Sequence, residues 1–262
     1  MNTISYKRPQ QDLVLQNFIP KKMIELLKKH NGYVASGAIT SVFTRKDIND
    51  LDLYFESTKD LDAFISACKM DKRYLAKVDS ENMPDVYKRS MKDMMMTYQT
   101  TNAISFLYCK RKFQVIKKFT GRPEEIFDHF DFTINMGAWM PDGVFWLYKD
   151  FFEDLAKRRL MINVNTFYPI STVVRVFKYI RKGYTIAGTE ILKIMLQVHS
   201  LELSNFGVLK EQLEGIDTLF LKPLTDFLSK TEHAEQKYSF EEFLKIYDDL
   251  IINTLEDEQS EP

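Results

Sequence analysis

The chain has 262 residues, with 36 basic and 37 acidic side chains, a formal charge of −1 and a hydrophobic fraction of 45%. This composition is close to the average for soluble globular proteins and excludes a disordered or collagen-like chain. The balanced charge does not single out a nucleic-acid-binding protein, although it is compatible with a local basic patch.

The cysteine content and the apolar runs of the sequence indicate the cellular compartment. The two cysteines, Cys68 and Cys109, lie in unrelated sequence contexts, which excludes a disulfide framework and a cysteine metal cluster. The N-terminus lacks the apolar core of a signal peptide, and no apolar run approaches the ~20 residues of a membrane helix. We therefore expect a soluble, cytoplasmic protein without a membrane partner.

The first part of the chain has a mixed pattern of strand and helix periodicity. Helical spacing over Leu13–His30 predicts a helix whose regular part begins at Pro20, since proline is tolerated in a first turn. Four short elements follow: a strand at Tyr33–Ala35, a helix at Ala38–Phe43, a strand at Leu51–Phe55 and a helix at Thr58–Met70. Residues 71–98, rich in Lys, Asp and Met, have no readable pattern.

Two hairpins are predicted next. The first joins strands at Ala103–Tyr108 and Phe113–Phe119 through a turn at 109–112. The second joins strands at Phe132–Trp139 and Val144–Tyr148 through Pro141-Asp142-Gly143, a typical turn sequence.

After Lys149 the apolar spacing is helical throughout. Five helices are predicted: Phe152–Leu160, Ile170–Lys182, Thr189–Glu202, Leu209–Ser229 and Ser239–Thr254. A mixed half followed by a helical half predicts two domains, at 1–149 and 150–255. The acidic tail 256–262 lacks large apolar residues and is predicted to be disordered.

Asp50 and Asp52 flank Leu51 in a predicted strand. Residues i and i+2 of a strand point to one face, so the two carboxylates project side by side. Like charges this close repel, and a bound cation removes the repulsion; Mg²⁺ prefers carboxylate oxygens combined with substrate phosphates. The pattern alone is more often a solvated strand face.

Ser36-Gly37 ends one apolar run and opens a short predicted helix. The first N–H groups of a helix can face an anion, and glycine lets the backbone approach a phosphate closely. An ordinary turn has the same composition. The order of strand, turn, helix and Asp-x-Asp strand nevertheless places a phosphate site opposite a metal site.

Two segments carry a family resemblance. Gly32–Ile39, followed by Asp50–Tyr54, resembles the first motif of the DNA polymerase β-like nucleotidyltransferase superfamily. Phe130–Asn135 resembles the Arg-Arg-Asp-Phe-Thr-Ile-Asn-Ala motif of class II tRNA nucleotidyltransferases and bacterial poly(A) polymerases. Asp154–Leu160 and Arg175–Arg181 are similar to the neck segment and the Arg-x-x-Arg-x-x-Arg helix of these enzymes. The role of residues 190–262 stays open.

The resemblance implies an α+β fold, with a polymerase β-like head (a mixed sheet flanked by helices) at 1–149 and a helical neck and body at 150–255. It also implies transfer of NMP from an NTP to an acceptor hydroxyl with Mg²⁺ or Mn²⁺, and it favours an RNA 3′ end as acceptor. The implied catalytic and metal-binding residues are Asp50 and Asp52. The implied nucleotide-binding residues are Ser36, Gly37, Asp131, Arg175, Lys178 and Arg181.

Several positions depart from the family pattern Gly-Gly-x-Val-Arg-Asp and from its base-reading segment. Ser36 replaces the first glycine, and Thr40-Ser41 replaces Arg-Asp. Gln114 stands at the third acidic position, which leaves one or two metals possible. Ser171-Thr172 aligns with the Glu-Asp pair that reads the incoming base. Hydroxyls that can both donate and accept would read a base only weakly, so we expect no programmed C-then-A addition.

Two alternatives remain open at this point. One is transfer of NMP to a protein or small molecule. The other is a catalytically silent nucleic-acid-binding or protein-binding module that has kept the fold, which the missing third carboxylate favours. The paired aspartates argue against a silent module, because adjacent like charges without a ligand carry a repulsive cost.

Overall fold

The computed structural model describes residues 2–68, 94–203 and 205–213, together with the single positions Glu241, Lys245 and Asp248. Outside the described residues lie most of residues 71–98, the predicted helix Leu209–Ser229 from position 214 on, nearly all of the predicted helix Ser239–Thr254, and the predicted acidic tail 256–262. The chain divides into two compact units, Met1–Lys157 and Arg158–Pro262. The functional boundary expected after Lys149 stays a prediction.

An eight-stranded mixed sheet forms the centre of the first unit. Its strands are β1 (Thr3–Lys7), β2 (Gly32–Ala35), β3 (Asp50–Phe55), β4 (Met94–Gln99), β5 (Ala103–Tyr108), β6 (Arg111–Ile116), β7 (Gly137–Trp139) and β8 (Val144–Tyr148). Their order across the sheet is β1-β8-β7-β2-β3-β6-β5-β4. β3 pairs in parallel with β6 and antiparallel with β2, so it lies centrally, between the two halves of the sheet.

Six helical segments accompany this sheet among the described residues: α1 (Pro9–Phe18), α2 (Lys21–Lys29), α3 (Gly37–Thr44), α4 (Thr58–Ala67), α5 (Pro123–Ile126) and α6 (Phe151–Ala156). The helix predicted from Leu13 is two helices, because Pro20 caps α2 in an extended conformation and ends the continuity with α1. The start of the regular helix next to Pro20 is confirmed.

The core of the first unit lies on one face of the sheet. β3 contributes Leu51, Leu53 and Phe55, all fully buried, and the helices α1 to α4 cover them. Trp139 of β7 is also fully buried, and its indole Nε1 donates to Asp12 Oδ1 of α1 at 2.8 Å. Alternation along β3 thus gives one apolar face to the core and leaves the other face for polar residues.

Several strands differ from the sequence predictions. β1 and β4 were not predicted; they pair with β8 and β5 at the two edges of the sheet. β6 begins at Arg111 and ends at Ile116, because a two-residue turn of Cys109 and Lys110, both at positive φ, connects it to β5. The predicted strand from Phe132 to Trp139 is only three residues long at β7, because Thr133–Asn135 forms a 3₁₀ turn held by side-chain hydrogen bonds.

The second unit was predicted to be all helical; its described part is mainly helical but also contains a two-stranded ladder. Its elements are β9 (Arg159–Leu160), α7 (Pro169–Arg181), β10 (Thr185–Ile186), α8 (Gly188–His199) and α9 (Phe206–Leu213). The helix predicted through Leu160 ends earlier, at Ala156, because Leu160 pairs with Ile186 in the short parallel ladder of β9 and β10. Buried Glu190 fastens α8 by accepting the Ile162 N–H at 2.7 Å.

Among the described residues, the helices are all too short or too polar to cross a membrane.

Candidate active site

The face of β3 opposite the core carries Asp50 and Asp52. Asp50 is exposed and Asp52 is half-buried, whereas Leu51 and Leu53 are fully buried on the other face. Residues i and i+2 of a strand are about 7 Å apart along it, which allows both carboxylates to reach a common ligand. The side-by-side arrangement predicted from the Asp-Leu-Asp spacing is present.

Asp52 is flanked on both sides by residues of neighbouring strands. Ala35 of β2 and Gln114 of β6 are its register partners, so the side chains of all three lie on one face. Gln114, predicted to stand at a third acidic position, therefore lies beside Asp52. Asp50 has Lys112 as its partner on β6, which places a cationic side chain next to the outer carboxylate.

The turn at Ser36 and Gly37 follows Ala35 directly, so it lies at the same end of β2 as the two carboxylates. Ser36 has φ 72° and ψ −139°, a conformation that glycine adopts far more easily than other residues. Its N–H donates to the Gly137 carbonyl at 3.0 Å, which fixes the turn to β7. The family glycine is replaced here, but the backbone keeps a glycine-like shape.

Gly37 opens α3 with space beside it. A Cβ added at Gly37 would meet no other atom within 4 Å, unlike Gly137, where it would lie 2.8 Å from Ile39. The first N–H groups of a helix have no partner within the helix, and together with the helix dipole they favour an anion. The turn thus offers both room and polarity for a phosphate group.

An aromatic layer covers the far end of this face. The rings of Tyr33 and Tyr54 stack with centroids 6.0 Å apart, and Phe130 packs on Tyr54 at 5.6 Å. The Tyr33 hydroxyl donates to the Gly121 carbonyl at 2.7 Å, and burial raises the pKa of this phenol well above its usual range. These contacts hold the chain segment that follows β6 against one end of the sheet face that carries Asp50 and Asp52.

Asp131 follows Phe130 directly and is 5% exposed. The next residues form the 3₁₀ turn Thr133–Asn135, whose Ile134 carbonyl accepts a hydrogen bond from Thr40 of α3. Asp131 is therefore held between the layer over Tyr54 and the helix that begins at the Ser36–Gly37 turn. The first unit contains all five head residues that the sequence singled out.

The other three predicted residues belong to the second unit. Arg175, Lys178 and Arg181 repeat every three positions along α7, so they follow one side of this helix. Lys178 and Arg181 are exposed, and Arg175 is half-buried.

The interpretation of Ser171 and Thr172 as weak base-reading hydroxyls needs correction. Ser171 is 2% exposed and donates to the Gln212 carbonyl at 2.7 Å, and Thr172, with no exposed surface, donates to the Tyr168 carbonyl at 3.0 Å. Both hydroxyls are used inside the second unit, and they connect α7 to α9 and to its own first turn. They are packing residues.

Oxygen donors at β3 fit a hard divalent cation. Asp50 and Asp52 offer carboxylates and Gln114 offers a neutral amide oxygen, and Mg²⁺ commonly takes one or two carboxylates and fills its remaining positions with phosphates and water. Within the described ranges, no group of three His, Cys, Asp or Glu side chains is placed to hold a metal entirely from the protein. A cation site that takes some of its oxygen ligands from the substrate phosphates is consistent with both observations.

Sequence comparison matches this chain with one family over most of the first unit. The sequence model of a family described as Gabija anti-defense 2 family protein matches residues 6–158. A curated relative named Gabija anti-defense 2, from Bacillus phage SPbetaL7, is 33% identical over 204 residues, which are 77% of this chain and 46% of that protein. The chain thus spans about half the length of the curated relative that it matches.

Solved structures of CCA-adding enzymes share the fold. A CCA-adding enzyme in complex with ATP is similar with a TM-score of 0.53 over 90% of this chain and 57% of that chain, at 15% identity. An apo form of a CCA-adding enzyme gives 0.51 over 88% and 54%, also at 15% identity. The predicted fold class, a nucleotidyltransferase head with a mixed sheet followed by helices, is confirmed.

Proposed function

The chain belongs to the Gabija anti-defense 2 family, and from this premise we propose that it counteracts Gabija defence by transferring a nucleotide from a nucleoside triphosphate. One observation carries the proposal: Asp50 and Asp52 lie side by side on β3, next to the open turn at Ser36 and Gly37. The fold shared with CCA-adding enzymes supports this class of reaction.

In this proposal Asp50 and Asp52 hold Mg²⁺ or Mn²⁺. A divalent cation bound there supplies charge neutralisation on the triphosphate and lowers the pKa of an attacking hydroxyl. Gln114 contributes a neutral amide beside Asp52 where a carboxylate would bind a cation more strongly. We therefore expect activity to require more Mg²⁺ than in the variant Gln114→Glu.

The turn residues and Asp131 orient the nucleotide. The Ser36 hydroxyl and the N–H groups at the start of α3 bind the β- and γ-phosphates, which the space beside Gly37 admits. Asp131 accepts a hydrogen bond from the ribose. The family resemblance also implies phosphate or base contacts by Arg175, Lys178 and Arg181 of α7. Binding by several weak contacts places the α-phosphate for attack by the acceptor hydroxyl, which breaks the bond to the β-phosphate and releases pyrophosphate.

The acceptor hydroxyl has two candidates. The resemblance to tRNA nucleotidyltransferases favours an RNA 3′ end. The family description favours a hydroxyl on a component of the Gabija system, because transfer onto that component would inactivate it directly. Buried Ser171 and Thr172 support a role other than ordered C-C-A addition, because neither hydroxyl is available to a base.

The direct test uses each of the four NTPs labelled on the α-phosphate, with Mg²⁺ and the purified protein. Three parallel reactions contain a mixed RNA pool, purified Gabija components or no acceptor. The proposal expects label on one acceptor with the parent protein and none with Asp50→Asn or Asp52→Asn. The matched control is Asp62→Asn on α4, an exposed aspartate outside β3, which makes the same charge change and should transfer normally.

The outcomes separate the alternatives. Label on RNA or on a Gabija component identifies the acceptor class. Ordered C-C-A addition to a tRNA lacking its 3′ end would contradict the assignment of Ser171 and Thr172. Transfer by both Asp50→Asn and Asp52→Asn at the parent rate would overturn the metal assignment, and absence of transfer with every NTP and acceptor would overturn the proposed activity.

A further inference from the structure

Two threonine hydroxyls of the first unit form hydrogen bonds that hold the segment 131–136, which begins with Asp131. Thr40, in the middle of α3, is 6% exposed, and its Oγ1 donates to the Ile134 carbonyl at 2.6 Å. Thr133 Oγ1 donates to Oδ2 of Asp154 in α6 at 2.5 Å, and Asp154 is 1% exposed. The segment is therefore tied to two different helices by short hydrogen bonds, the one from Thr40 buried and the one from Thr133 partly buried.

The segment has little regular structure of its own to fix its position. Before β7 begins at Gly137, its backbone makes a single 3₁₀ turn, in which the Asn135 N–H donates to Phe132 and the Met136 N–H to Thr133. A short 3₁₀ turn is weakly held by its own bonds. Its placement therefore depends on contacts from outside, and the two threonine hydroxyls provide two of them.

The tie from Thr40 reaches the helix that begins at the proposed phosphate site. Thr40 lies one turn after Ser36, and the Ser36 N–H is itself bonded to the Gly137 carbonyl at 3.0 Å. α3 and the stretch 134–137 are thus connected at two points. A displacement of this stretch would change the distance between Asp131 and the Ser36–Gly37 turn.

The residue at position 40 also departs from the family pattern. The pattern has arginine there, whereas this chain has a small hydroxyl side chain whose environment is buried and whose hydrogen bond is internal. We infer that Thr40 and Thr133 are positioning residues, which hold Asp131 in register with the Ser36–Gly37 turn; this inference rests on the proposed nucleotide site. Neither hydroxyl touches the nucleotide.

The test compares isosteric variants of the full chain, Thr40→Val and Thr133→Val, each of which removes one hydroxyl. Thr40→Ser restores the donor at position 40. Thr44→Val is the matched control, because Thr44 lies one turn further along α3 and its hydroxyl donates to carbonyls of α3 itself, at 2.8 Å to Thr40 and 3.3 Å to Ser41.

Two measurements are made on each protein. The rate of hydrogen exchange of the amides at 131–136, measured without nucleotide, shows how firmly the segment is held. Titration with ATP and Mg²⁺ measures the affinity of the nucleotide site. Both valine variants should exchange roughly ten-fold faster in this stretch, since each loses a hydrogen bond that holds it. Their affinity for ATP should fall about ten-fold, because misplaced binding groups lose strength steeply with distance. Thr40→Ser and Thr44→Val should behave like the parent.

The two measurements distinguish failure of this inference from failure of the proposed function. Faster exchange with unchanged ATP affinity would overturn the positioning role and leave the nucleotide site intact. Unchanged exchange in both valine variants would overturn the tie itself. A parent protein that binds no nucleotide would overturn the proposed function, and the inference with it. If Thr40→Val fails to fold, Thr133→Val and Thr40→Ser still decide the question.

Discussion

Replacing Ser36 by glycine should stabilise the first unit. At φ 72° and ψ −139° the Ser36 Cβ crowds the backbone, and a residue other than glycine in such a conformation costs about 1–3 kcal/mol. Glycine increases the entropy of the unfolded chain, which offsets roughly 0.5–1 kcal/mol of this gain. The net expectation for Ser36→Gly is an increase of about 1 kcal/mol in the free energy of unfolding.

Urea denaturation followed by tryptophan fluorescence measures this effect on the full chain. Both tryptophans, Trp139 and Trp146, belong to the first unit, so the signal follows the unfolding of that unit. Ser36→Gly should move the midpoint to higher urea. Ser41→Gly, inside α3, should lower the free energy of unfolding by about 0.5 kcal/mol, because glycine weakens a helix interior.

The variant Ser36→Ala separates backbone conformation from the hydroxyl. It keeps the Cβ and removes the hydroxyl group, which makes no capping hydrogen bond to α3, so its midpoint should stay close to that of the parent. A Ser36→Gly protein that is destabilised as much as Ser41→Gly would refute the reasoning, because the strain would then be absent.

Three further perturbations test other parts of the first unit with the same fluorescence assay. Asp12→Ala should lower the free energy of unfolding by about 1–3 kcal/mol, since the buried Trp139 N–H loses its acceptor, and Asp12→Asn should recover part of this loss. Gly137→Ala should lower it by about 1–3 kcal/mol, since the added Cβ would lie 2.8 Å from Ile39 Cγ2; an unchanged midpoint would show that α3 can move away from β7. Desolvation lowers the pKa of His129 below its ordinary value of 6.5, so the unfolded chain binds more protons at this residue than the folded chain does. The folded state is therefore favoured above pH 6.5, and this contribution to stability is lost as the pH falls through the pKa of the folded state. Between pH 7 and 5.5 the parent should therefore lose more stability than His129→Gln, and equal losses would contradict this assignment.

Elements whose pattern is local could be predicted from the sequence. Strict alternation in β3 placed Leu51 inward and Asp50 and Asp52 together, because one face of a strand must be apolar when it covers a core. The turn at Ser36 and Gly37 could also be predicted locally, because an apolar run ends there. Its positive φ at a serine could not be predicted, because serine gives no such signal.

Elements that depend on tertiary contacts were missed. The 3₁₀ turn at Thr133–Asn135 interrupts a sequence rich in strand-forming residues, because Thr40 and Asp154 bond to it from elsewhere in the chain. The two-residue turn at Cys109 and Lys110 has positive φ at both residues but lacks the Asn-Gly sequence that usually marks such a turn. Buried hydroxyls at Ser171 and Thr172 were misread, since an amphipathic helix pattern does not show which small polar residues face inward.

The central claim is that Asp50 and Asp52 bind a divalent cation together with a nucleoside triphosphate. Calorimetric titration with a non-hydrolysable ATP analogue, in the presence of Mg²⁺ or of a chelator, tests this claim directly. We expect the parent protein and Asp62→Asn to bind only when Mg²⁺ is present, and we expect Asp52→Asn to lose that binding. Equal affinity with the chelator and with Mg²⁺, or an unchanged affinity in Asp52→Asn, would contradict it.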